Sequence, residues 1–195
     1  MTRANWIACI AAAILITCTA GSAQAQTVTF SRFDDAVGSR FYDPATTRVD
    51  SLDRNKLIIG FNSGLDSATL KYRDFTASTA AFRYTSAIDT ISVRITAPAG
   101  YYIAKVTYSQ RGTGAITGTG KLLCGATLFV YDKASLLKSY STDPAVTQTV
   151  DLTGRRLTTV PVSITNSLNA FATSSLGSAR VSLTSADIRV QLLPL

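Results

Sequence analysis

The sequence predicts an all-β fold, an antiparallel two-sheet β-sandwich of jelly-roll type, on three observations. Thr, Ser, Val, Ile, Tyr and Phe are abundant, and these β-branched and aromatic residues suit a pleated, half-buried surface better than a helix. Several segments alternate apolar and polar residues with the strand period of two. Clusters of Gly, Pro, Asp and Asn punctuate roughly eight to ten such segments, the spacing expected of short strands stacked in two layers.

The chain opens with Arg3, an apolar run from Trp6 to Ile16, and small residues ending in Ala23-Gln24-Ala25. That order predicts a secretory signal peptide over residues 1–25, cut between Ala25 and Gln26, and a single sandwich domain over residues 26–195. A membrane anchor would need about 20 unbroken apolar residues, and Thr17, Cys18 and Thr19 interrupt the run. Lipidation at Cys18 is disfavoured by Thr17, which stands where a small residue normally precedes the modified cysteine. A secreted or periplasmic location follows as the expectation.

Residues 27–33 alternate and predict a first strand. Residues 40–55 (RFYDPATTRVDSLDRN) hold no period and predict a long irregular loop, the kind that is often functional. Residues 56–62 (KLIIGFN) are an apolar strand before an N-S-G-L-D turn, and residues 70–73 and 81–84 read as short strands. In residues 91–96 (ISVRIT), Ile91, Val93 and Ile95 should face inward; the turn Ala97-Pro98-Ala99-Gly100 then predicts a hairpin into residues 101–109. The glycine-dense residues 112–120 are not a phosphate loop, since Ala115, Thr117 and Leu122 occupy positions where those motifs need other residues, so a flexible connection is expected. Residues 121–132 (KLLCGATLFVYD) are apolar on both faces, with Cys124 inside as a small core hydrophobe. A helical turn is expected in residues 133–141, and strands in 146–152, 157–164 and 180–193. Pro161 should confine its strand to an edge or bulge.

Absences narrow the chemistry. There is no His and no Glu, and the single Trp and single Met lie at Trp6 and Met1. Histidine-based nucleophilic triads, imidazole bases and His-ligated zinc are therefore excluded. Cys9 and Cys18 leave with the leader, so Cys124 alone remains, with no intrachain disulfide and no thiol pair. The chain carries a formal charge of +7, which loss of Arg3 lowers by one. Such a surface favours anionic partners: acidic polysaccharide, phosphorylated envelope lipid or extracellular DNA, although no specific nucleic-acid motif is present. Scattered Lys and Arg also serve solubility and block edge pairing, and only Arg155 and Arg156 are adjacent.

Two groups stand out as binding candidates. Asp34, Asp35, Asp43, Asp50 and Asp53 concentrate carboxylates around the loop, and oxygen ligands of this kind suit Ca²⁺; the competing reading is that Asp caps turns. Tyr101 and Tyr102 offer aromatic faces for sugar stacking, against the alternative of ordinary strand packing. No catalytic residue and no organic cofactor is indicated.

The stretches NKLIIGFNSGLD, DTISVRITAPAGYYIAKVTYSQRGTG and SADIRVQLLPL resemble exported bacterial all-β proteins across most of residues 26–195, without singling out a named family. The resemblance implies export and a sandwich. It brings no catalytic motif, so it transfers no site residue. A binding or structural module for an envelope polymer or protein partner is the expected function, and not an integral membrane protein. The alternatives are a glycan-active enzyme built on Asp34 with Asp35 or Asp50 with Asp53, and a subunit that assembles by strand exchange.

Overall fold

The computed structural model describes residues 26–35, 43–61, 64–66, 71–73, 76–139 and 144–195, and every strand pairing among them is antiparallel. Residues 1–25, where a leader is expected, lie outside the described residues. In chain order the strands are β1 (Thr29–Asp35), β2 (Asp43–Val49), β3 (Lys56–Gly60), β4 (Gly64–Asp66), β5 (Lys71–Arg73), β6 (Thr76–Ala80), β7 (Tyr84–Thr96), β8 (Tyr101–Thr117), β9 (Gly120–Val130), β10 (Lys133–Ser139), β11 (Val146–Asp151), β12 (Thr159–Ala172) and β13 (Ser178–Pro194). The one helical element among the described residues is a 3₁₀ turn at Thr153–Arg155.

A front sheet runs β1-β7-β12-β9-β10 and a back sheet β11-β8-β13-β3-β2; β4 and β5 form a separate ribbon. β13 is the spine of the back sheet. It pairs with β8 on one side and, on the other, with β6 and then β3. Between the sheets lies one hydrophobic core, contributed by Ile91, Val93 and Ile95 of β7, Val162, Ile164 and Leu168 of β12, and Ile103, Val106, Ile188 and Val190 of the back sheet. The fold is the antiparallel two-sheet sandwich that alternation in the sequence predicts, and Ile91, Val93 and Ile95 point inward as expected. Cys124 is buried within β9.

Several local expectations are corrected. Residues 40–55 are not wholly irregular, because β2 occupies Asp43–Val49, with a bulge that shifts the register between the pairs Asp43–Gly60 and Arg48–Ile58. Residues 81–84 are mostly turn, with Ala81 and Phe82 in the left-handed region at φ 45° and 51°. The expected hairpin of residues 91–96 with 101–109 does not form: β7 belongs to the front sheet and β8 to the back. The Pro98-Gly100 turn is a corner, and the two apolar faces meet across the core rather than lying side by side. Residues 133–139 are strand, not helix, folded onto β9 by a two-residue turn.

The glycine-dense segment is not a loose connection either. Residues 112–117 continue β8, and Gly112 and Gly120 lie where the backbone of β13 leaves no room for a side chain. Pro161 sits in a central strand, contrary to the expectation of an edge. The ladder tolerates it because Val130, the last residue of β9, pairs with Val162, while the carbonyl of Pro161 accepts the Tyr131 amide at 3.0 Å. Its missing N–H therefore falls just past the end of the neighbouring strand and breaks no sheet hydrogen bond.

A polar layer crosses the core and was not legible in the sequence. Asp89, Tyr108, Gln110, Gln148 and Asn166 are all buried. The Tyr108 hydroxyl donates to Asn166 Oδ1 at 2.8 Å and lies 3.3 Å from Gln110 Oε1, tying the back sheet to the front. Gln110 Nε2 donates to the Pro144 carbonyl at 2.9 Å, and Gln148 Nε2 donates to the Ala126 carbonyl at 2.7 Å. Burial pushes the Tyr108 phenol far above its ordinary value, so the ring stays neutral.

Candidate functional site

Strand alternation puts Lys105, Thr107, Ser109 and Arg111 on the outer face of β8, while Val106, Tyr108 and Gln110 between them turn inward. Register then sets Ser109 beside Asp187, Thr107 beside Arg189 and Lys105 beside Gln191 on β13. On the other flank, Thr147, Thr149 and Asp151 of β11 face Ser109, Thr107 and Lys105. The outer face of the back sheet along β11, β8 and β13 is thus a polar surface. Two depressions of about 390 Å³ and 220 Å³ share Thr107 and Arg189 and merge into one trough along β8 and β13. From Lys105 to Arg111 it extends about 20 Å, taking roughly 3.4 Å per residue.

Hydroxyl pairs fix the floor: Thr107 with Thr149 at 2.9 Å, and Thr147 to Ser109 at 3.2 Å. The cations are held at the rim. Lys56 meets Asp50 at 3.5 Å, Lys105 meets Asp151 at 3.7 Å, and Arg189 meets Asp53 at 3.2 Å. Arg111 makes no ion pair among the described residues, which leaves one guanidinium open to an incoming anion.

Of the residues singled out in the sequence, Asp50 and Asp53 reach this rim. Both cap the turn before β3: Asp50 Oδ1 accepts the Leu52 amide at 2.9 Å, and Asp53 Oδ1 accepts the Asn55 amide at 3.1 Å. The turn is pinned to the spine by the Val190 amide, which donates to the Asn55 carbonyl at 2.9 Å. Tyr101 is linked to the trough through Gln26, whose amide donates to the phenol oxygen at 2.6 Å. Tyr102 is buried, with the Arg156 guanidinium 5.7 Å from its ring centre, so the two tyrosines do not form a shared stacking platform. Asp34 and Asp35 stand on β1 in the front sheet and Asp43 on β2; their side chains lie outside the described residues. Among the described residues no three His, Cys, Asp or Glu side chains come together to hold a metal ion.

Two rim carboxyls are held below their ordinary value. The Leu52 amide, followed by the Asp53 amide and then Lys56, lowers Asp50, and the Thr153 amide and hydroxyl, followed by Lys105, lower Asp151. A depressed folded value means that the contribution is present above the unfolded value of 3.8 and lost as pH falls through the folded one. Asp50→Asn and Asp151→Asn are therefore expected to be less stable than the parent at neutral pH, with the difference closing below pH 3.8. Urea unfolding across the acid range measures this, and an undiminished difference in strong acid would refute it.

No helix among the described residues is long and apolar enough to cross a membrane. Compared with known protein families and curated proteins, the chain matches no family model and no curated sequence.

Proposed function

We propose that this chain is an exported, non-catalytic β-sandwich module that holds an anionic polymer of the cell envelope, such as an acidic polysaccharide, along the trough of the back sheet. The trough carries the reading. It is long and open, lined by hydroxyls and amides that match a hydrated chain together with the Asp187 carboxylate, and rimmed by Lys56, Lys105, Arg111 and Arg189. Net positive charge raises the encounter rate with a polyanion. The absence of His and Glu supports binding over turnover, and the leader-like residues 1–25 support delivery to the envelope.

Calorimetric titration of residues 26–195 with sulfated dextran and with neutral dextran tests the proposal. Sulfated dextran is expected to bind, more weakly as salt rises and the rim charges are screened. The pair Lys105→Ala and Arg111→Ala should weaken binding about tenfold or more, the equivalent of about 1.4 kcal/mol. Equal binding of neutral dextran, or no binding of the sulfated polymer at low salt, would overturn it.

A further inference from the structure

We infer that the outer face of the front sheet carries a second binding site, one that takes a ring-shaped carboxylate, specifically a uronic acid residue of an acidic glycan. The site is a cleft of about 200 Å³ built across three neighbouring strands. On one side stand Phe129 of β9 and Tyr131 of the following turn, 50% and 51% exposed, so about half of each side chain is open to solvent. On the far side is Arg94 of β7, exposed and making no ion pair among the described residues. Ser92 and Ser163, directly opposite one another on β7 and β12, form the floor, and Pro161 closes the end beside Arg94.

This arrangement prescribes the ligand. β9 and β7 are two strand spacings apart, about 10 Å, which leaves room for one ring lying over the two serines. The apolar face of a sugar packs on Phe129 and Tyr131 by dispersion and area burial, and its hydroxyls reach the serine side chains. A carboxylate on the ring is then directed to Arg94, whose planar guanidinium suits bidentate pairing. A neutral sugar would leave that cation unanswered. Apolar residues on an outward strand face are also poorly placed for the core: β9 looks covered on both faces in the sequence, yet Phe129 is half exposed, with no third layer over it among the described residues.

The site is on the opposite side of the sandwich from the trough and stands apart from it experimentally. The probes are galacturonic acid trimers and their fully methyl-esterified form, which keeps the rings and removes the charge. Binding to residues 26–195 is followed by calorimetry. Arg94→Gln is expected to weaken the acid trimer about tenfold and leave the ester unchanged. Tyr131→Asn should weaken both and is expected to fold, because Tyr131 has a left-handed φ of 58° that Asn tolerates. The trough pair Lys105→Ala and Arg111→Ala should leave trimer binding intact, even if it abolishes binding of sulfated dextran. Failure of the acid trimer to bind at low salt, equal affinity for acid and ester, or loss of trimer binding in the trough variant alone would each overturn the assignment.

Discussion

Gly112→Ala and Gly120→Ala are each expected to lose about 3 kcal/mol of stability, the upper part of the overpacking range. A methyl group at Gly112 meets the Ser182 carbonyl oxygen and the Leu183 Cα; at Gly120 it meets the Ser178 carbonyl. Both obstacles are backbone atoms of β13, which cannot swing aside as a long side chain would. Restricting the unfolded chain by replacing glycine returns only about 0.4–1 kcal/mol, so the clash wins. Gly154→Ala is the internal control, because nothing lies within 4 Å of its added methyl. Urea unfolding of the three variants measures the effect, and losses under about 1 kcal/mol at both β13 positions would mean that the strands separate more cheaply than their packing implies.

Tyr108→Phe should cost about 2 kcal/mol although it removes a single oxygen atom. The ring still fills its place, but Asn166 Oδ1 loses its 2.8 Å donor at a position sealed from water. An unanswered buried acceptor costs more than the hydrogen bond gave in net terms. The same residue controls behaviour in alkali. Its folded value is raised above the ordinary value of 10.0, so above that pH the unfolded chain releases a proton that the folded chain retains. Stability present below pH 10 is consequently lost as pH rises. Tyr108→Phe should be less stable than the parent at neutral pH and decline less steeply above pH 10. A parallel decline in both proteins would assign the alkaline loss to other groups.

Much of the fold could be read from residue patterns whose cause is local. Residues 91–96 and 180–193 alternate because one side meets the core and the other meets water, and both are strands in the structure. Which sheet a strand joins is a different matter. Ala97-Pro98-Ala99-Gly100 announces a turn, but whether the chain doubles back or crosses to the other layer depends on what β12 and β13 later provide. Glycine misled for the same reason: Gly112 looks like slack when its neighbours in sequence are considered, whereas its cause is the later strand pressed against it. At the trough, the KVTYSQR stretch already places Lys105, Thr107, Ser109 and Arg111 on one side by strand alternation alone. The front cleft had no such signal, since Arg94, Phe129 and Pro161 become neighbours only through pairing across three strands.

The strands that occupy the middle of each layer, β12 and β13, are also the last two in chain order. A ribosome therefore supplies the margins first and the centres last, and neither layer can close while residues 159–194 are still being made. Long-range pairing of this kind is slow to nucleate. Should the proposed export hold, that delay would favour passage of the chain before either layer closes.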